Sequence, residues 1–150
     1  MTKIYNQEAT VTQAPSDLAV GQEIPELQRA TGLHNWNRFA AVNSEFVDIH
    51  MDDEAGQAAG YASAFGMGNL QWSYLHSLLR NWMGEDGRIL RLACQFRAAN
   101  TKGQVVTAHG KITAIRDEDS PTQVDLEVWT ENDSGQVMAP GTATVELPKA

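Results

Sequence analysis

At 150 residues, 42% of them apolar and 20% charged, the chain is the size of one domain built on one core. A formal charge of −8 argues against nucleic acid or an anionic membrane surface, which are held by a basic stripe, so neither is expected as a partner, while an anionic small molecule remains open to a local basic patch. Cys94 is the one cysteine, which rules out an intrachain disulfide and suits a reducing compartment; with no apolar run long enough for a signal peptide or a span, a cytoplasmic protein without membrane insertion is expected.

Residues 1–20 carry little pattern beyond the Pro15–Ser16 punctuation and read as an N-terminal tail, leaving residues 21–150 as a single domain. A first strand is expected near Gln22 to Thr31. NWNRFAAVNS, Asn35 to Ser44, predicts a short helix with Asn35 as its cap and Trp36, Phe39, Ala40 and Val42 to bury. DDEAGQAAG, Asp52 to Gly60, opens with acids that suit a helix start and closes on a glycine that suits a stop. In GMGNLQWSYLHSLLRNWMG, Met67, Leu70, Tyr74, Leu75, Leu78, Leu79 and Trp82 recur at three- and four-residue steps between Gly68 and Gly84. That spacing predicts one long helix with a buried face, with Trp72, Tyr74 and Trp82 read as core or subunit contact ahead of a ligand pocket.

After Gly87 the period changes. RILRLACQFRA alternates, with Leu90, Leu92, Cys94 and Phe96 on one side and Ile89, Arg91, Ala93, Gln95 and Arg97 on the other. Three further strands are expected at Gln104 to Arg116, Gln123 to Glu131 and Gln136 to Leu147, separated by the turn-rich NTKG, RDEDSPT and NDSG. Consecutive strands with short turns predict an antiparallel meander, and one long helix before them gives an α+β domain whose curved sheet wraps the helix.

The chemistry concentrates in SEFVDIHMDDEAGQ, Ser44 to Gln57. Glu45 and His50 are candidates for an acid/base pair around a water, since a carboxylate and an imidazole are the side chains most readily tuned towards neutrality. Asp48, His50 and Asp52 alternate as metal ligands on a strand would, but no HxH, HExxH or CxxC accompanies them and no metal is expected. Asp52, Asp53 and Glu54 read more simply as the acidic first turn of a helix. Gly68 opens the long helix, where a backbone N–H without a side chain in the way can hydrogen-bond a carbonyl that gains negative charge. No P-loop, GxSxG or dinucleotide fingerprint is present. An acid/base pair, a donor at a helix start and an apolar helix face together point to enolate chemistry on a thioester.

SEFVDIHMD, followed by Gly68 eighteen residues after His50, resembles the GDxNPIHxD signature and downstream HGM glycine of the MaoC-like (R)-specific 2-enoyl-CoA hydratases. NWNRFAAVNS resembles that family's preceding helix, and LRLACQFRAANTKGQVVTAHGKITAI its later strand pair, so the likeness covers about residues 20–148. Glu45 stands where the family has Asp, Val47 where it has Asn, Asp48 where it has Pro, and Met67 where it has His, while Ala98 and Ala99 replace an expected proline. The acid-F-x-D-x-H-x-D pattern and the ending TATVEL look closest to the small MaoC-like subunits of heteromeric steroid side-chain hydratases. The resemblance implies a hot-dog fold and a homodimer or a heteromer with a second hot-dog chain. It implies hydration of a trans-2-enoyl-CoA to the (R)-3-hydroxyacyl-CoA, with Glu45, His50 and Gly68 as catalytic residues. No cofactor is implied, because coenzyme A is part of the substrate. The acyl group, a steroid side chain or another bulky chain, is expected beside Trp72, Tyr74 or Leu75, with Ala62 or Ala64 giving room. Arg88, Arg91, Arg97 and Lys102 are the cations available for coenzyme A phosphates, against a reading as a solvated strand face. The alternatives are a non-catalytic hot-dog partner that shapes an active chain's tunnel, and an acyl-CoA thioesterase.

Overall fold

A computed structural model describes residues 17–118 and 121–148. Most of the expected N-terminal tail lies outside the described residues. The elements run β1 (Leu27–Ala30), α1 (Leu33–Asn43), a single 3-10 turn (Asp48–His50), α2 (Asp53–Ala58), α3 (Gly68–Met83), β2 (Arg88–Cys94), β3 (Val105–Arg116), β4 (Thr122–Glu131) and β5 (Val137–Leu147).

The five strands form one antiparallel sheet in the order β1-β3-β4-β5-β2, and α3 packs against all five. The meander therefore holds for β3, β4 and β5 but not for β2, which crosses to the far edge and pairs with β5. The α+β architecture of a long helix wrapped by a curved antiparallel sheet is as expected. Leu75, Leu78, Leu79 and Met83 of α3 are buried with Val106, Ile112, Val124, Leu126, Val128 and Val145 of the sheet. Each such leucine contributes about 1.5–3 kcal/mol of burial, and truncation to alanine costs about 2–5 kcal/mol. Tyr74 and Trp82 join this core, and burial pushes the Tyr74 hydroxyl up to about 12, Arg29 opposing the shift.

Several local expectations are corrected. The first strand is split: Glu23 makes an isolated bridge with Lys111, Pro25 brings no N–H to the ladder, and regular pairing begins only at Leu27. Helix α1 starts after Gly32, whose carbonyl receives the N–H groups of Asn35 and Trp36, so Asn35 is not the cap. Val42 is 84% exposed, because it lies two residues from buried Ala40 and hence on the opposite side of the helix. In β2, Ile89 pairs with Val145 and Arg91 with Thr144, so Leu90 is an extra residue in a bulge. The bulge reverses the facing pattern: Ile89 and Leu92 pack on the core while Leu90 is exposed. Among the described residues no helix is long and apolar enough to cross a membrane.

Candidate active site

Helix α1 ends at Ser44, which adopts a left-handed conformation with φ 55° and returns its N–H to the Ala40 carbonyl. That reversal delivers Glu45 to the start of α3, where its carboxylate receives a long 3.4 Å hydrogen bond from Asn69. The chain then makes the 3-10 turn on which Asp48 and His50 sit, so no strand projects Asp48, His50 and Asp52 together. His50 is 9% exposed, and its Nδ1 lies 2.8 Å from the Phe65 carbonyl oxygen. A carbonyl only accepts, so Nδ1 carries a proton, and of the two neutral tautomers the one with its lone pair on Nε2 is the one that fits. The Phe65 ring meets the imidazole edge-on at 5.2 Å. Asp52 caps α2 by accepting from the Ala55 N–H at 2.9 Å, and among the described residues no group of three His, Cys, Asp or Glu is placed to hold a metal ion.

The segment between α2 and α3 is what joins these parts. Phe65 pairs with Ile49 through a backbone hydrogen bond and with Thr101 through an isolated bridge, and the Gly66 N–H donates to the Asn100 carbonyl at 2.7 Å. Asp53 anchors the same segment by accepting from the Ala64 N–H at 3.1 Å, while Lys102 donates to both of its oxygens at 2.7 Å. The Lys102 ammonium beside Asp53, helped by the Ala64 N–H, holds that carboxyl below its usual range. Gly56 of α2 is a requirement of this packing, because a Cβ there would meet the Ala64 nitrogen at 2.6 Å and come closer still to the Ser63 carbonyl.

Gly68 begins α3 as expected and lines a cavity of about 200 Å³ with Tyr61, Phe65, Gly66, Gln71, Phe96, Arg97, Ala98 and Ala99. The Phe96 ring covers Gly68 closely: a Cβ on Gly68 would lie 2.6 Å from it. Glu45 thus reaches the first turn of α3 through Asn69, and Gly68 opens that turn, whereas His50 bonds the cavity-lining Phe65 ahead of it; neither Glu45 nor His50 itself lines the cavity.

The expected coenzyme A cations are less concentrated. Arg97 lines the cavity, Lys102 is committed to Asp53, and Arg88 lies 3.9 Å from Glu146 at the opposite end of β2. Arg91 is exposed and opposite Thr144. Trp72 is 39% exposed beside the Leu92 carbonyl, whereas Leu75 is wholly buried and Ala64 is held beneath α2. None of the three lines the cavity. Sequence reasoning missed Phe65, Asn69, Gln71 and Phe96. Of these only Gln71 carried a signal, as a polar residue on an apolar helix stripe.

No family model matches the chain, and no curated protein matches it by sequence. Solved structures do. An (R)-hydratase from A. caviae involved in PHA biosynthesis is 27% identical, with a TM-score of 0.80 over 89% of this chain and 100% of that one. The ChsH1-ChsH2 complex from Mycobacterium tuberculosis is 20% identical, with a TM-score of 0.77 over 86% and 98%. A MaoC-like dehydratase from Rhodospirillum rubrum is 18% identical, with a TM-score of 0.71 over 89% and 94%.

Proposed function

The chain has the hot-dog fold of the MaoC-like (R)-hydratases, and on that premise we propose that it hydrates a trans-2-enoyl-CoA to the (R)-3-hydroxyacyl-CoA. The observation that supports the proposal is a cavity lined by Gly68 at the start of α3, which His50 adjoins through the Phe65 carbonyl and Glu45 through Asn69. The thioester carbonyl accepts from the Gly68 N–H, which stabilises the enolate oxygen that forms when C3 is attacked. One water lies between Glu45 and the unprotonated Nε2 of His50. The pair takes one proton from that water as its oxygen bonds to C3, and returns one to C2 as the enolate collapses. Water adds across the double bond, and no electron leaves the system. The Phe65 carbonyl fixes the His50 tautomer, and the half-buried carboxylate of Glu45 is steadied by Asn69.

The chain acts as one subunit of a dimer or of a heteromer with a second hot-dog chain. Support comes from the exposed apolar side chains Trp72, Leu90 and Phe96 on and beside edge strand β2, and from the complex among its structural relatives. The cavity of about 200 Å³ is smaller than the roughly 300–1,000 Å³ typical of ligand pockets. It suits a short acyl chain, and a steroid side chain or other bulky acyl group requires room supplied by the second chain. Arg97 is the coenzyme A contact best placed by position. The reading as a non-catalytic partner draws on one observation, the Phe96 ring over Gly68. Both readings are separated from thioester hydrolysis by one experiment. The chain, alone and with candidate partners, is given crotonyl-CoA while the enoyl-thioester absorbance and free thiol are followed. Loss of absorbance without thiol release, reduced about 100-fold or more in Glu45→Ala and His50→Ala, is expected. Undiminished hydration in both variants assigns the chemistry to the partner, and thiol release assigns hydrolysis.

A further inference from the structure

The buried face of α3 is apolar except for the Tyr74 hydroxyl and the amide of Gln71, which is 2% exposed. The Gln71 Oε1 accepts from the Thr130 hydroxyl at 2.6 Å, and its Nε2 donates to the Ala98 carbonyl at 3.2 Å. The orientation of the amide follows from chemistry, because the Ala98 carbonyl only accepts and so must face the nitrogen. A primary amide has two N–H groups, and among the described residues only one finds an acceptor. Gln71 also lines the cavity, three residues after Gly68 and so on the same face of the helix, with its side chain leaning back towards the helix start. A buried donor beside the cavity is costly while unpaired and rewards a ligand that pairs it.

Resting on the hydratase reading, we propose that Gln71 is a specificity-determining residue whose second N–H binds an oxygen acceptor on the acyl chain. The substrate class is then a short 2-enoyl thioester carrying a hydroxyl or carbonyl oxygen besides the thioester's own, in preference to a plain hydrocarbon chain. Sites that hydrogen-bond a substrate oxygen discriminate strongly against analogues lacking it, because their own donor is left unpaired.

The test is calorimetric binding of butanoyl-CoA, (R)-3-hydroxybutanoyl-CoA and 4-hydroxybutanoyl-CoA to the full chain, with crotonyl-CoA hydration measured in parallel. The wild type is expected to bind 4-hydroxybutanoyl-CoA about tenfold tighter than butanoyl-CoA, with (R)-3-hydroxybutanoyl-CoA as the control for binding of the hydration product. Gln71→Leu combined with Thr130→Val, which removes the amide without stranding the Thr130 hydroxyl, is expected to reduce that preference to about twofold or less. Butanoyl-CoA affinity should change less than threefold. A preference unchanged in the variant, or absent from the wild type, overturns the role of Gln71 even if hydration is intact. Hydration absent while the Gln71-dependent preference persists overturns the hydratase reading alone, and no binding of any thioester overturns both. Should the variant not fold, the Gln71 side-chain amide resonance of the wild type decides. It should shift with 4-hydroxybutanoyl-CoA and not with butanoyl-CoA, and identical responses refute the proposal.

Discussion

Replacing Gly56 by alanine inside a helix would ordinarily stabilise it by about 1 kcal/mol, because glycine gives up more backbone freedom on folding. Here the opposite sign is expected. A Cβ would meet the Ala64 nitrogen at 2.6 Å and the Ser63 carbonyl more closely still, and ordinary contact begins at 3.4 Å, so the segment over α2 must retreat by more than about 0.8 Å. The obstacle is backbone on both sides, so no side chain can swing out of the way. That retreat stretches the 3.1 Å hydrogen bond from Ala64 to Asp53 beyond useful length. Overpacking costs about 1–3 kcal/mol and the lost hydrogen bond about 1, offset by the helix gain of about 1. The net expectation for Gly56→Ala is a loss of about 1–3 kcal/mol, seen as a fall in melting temperature on the order of 5 °C. Because the same segment presents the Phe65 carbonyl to His50, hydration should fall at least tenfold at temperatures where the variant is still folded. Differential scanning calorimetry with parallel rate measurements checks both. A variant as stable as the parent, or more so, would refute the reasoning from close backbone approach.

The converse separation is expected at Gly68. The three atoms nearest to its Cβ all belong to the Phe96 ring, a side chain 52% exposed and so with room to give, and Gly68→Ala should change stability by less than about 1 kcal/mol. Hydration should nevertheless fall at least tenfold, because the added methyl occupies the cavity beside the N–H, and adding Phe96→Ala should not restore it; an unchanged rate contradicts that placement. On the sheet, two hydrogen bonds from Arg116 and one from Thr144 pull the Asp125 carboxyl from 3.8 down to about 2. Since the folded value lies below the unfolded one, this contribution is complete above about pH 5 and disappears as pH falls through 2, amounting to about 1 kcal/mol after solvent screening. Urea midpoints between pH 2 and 6 should show that acid-dependent loss reduced in Asp125→Asn, and an identical pH slope in the two proteins counts against it.

What the sequence disclosed was local. The stripe Leu70, Leu75, Leu78 and Leu79 announces α3 because a 3.6-residue period survives any tertiary context, and glycines bound it at both ends. The last three strands were found to within a residue or two because turn chemistry marks their ends. The position of β2 was not legible, since pairing Ile89 with Val145 is a long-range choice that no local pattern encodes. Its facing was misread because a single inserted residue, Leu90, shifts the alternation by one. At the candidate site, Glu45, His50 and Gly68 had a recognisable spacing, but what holds them did not. The contacts of His50 with Phe65, Gln71 with Thr130 and Asp53 with Lys102 join residues 15, 59 and 49 positions apart. Such pairs exist only once the chain has been brought together.

Strand β2 closes one side of the sheet with its outer backbone groups unclaimed by any other strand of the described chain. Such a border invites any extended peptide, including further copies of itself stacked without limit. Two details limit that promiscuity. Arg88 and Arg91 bring like charges that copies laid side by side would have to place close together, and the extra residue at Leu90 twists the border away from the flat geometry that endless stacking needs. An incoming strand must match an irregular register to add at all, so the bulge that confuses a reading of the sequence also acts as a filter on what can adhere to the molecule.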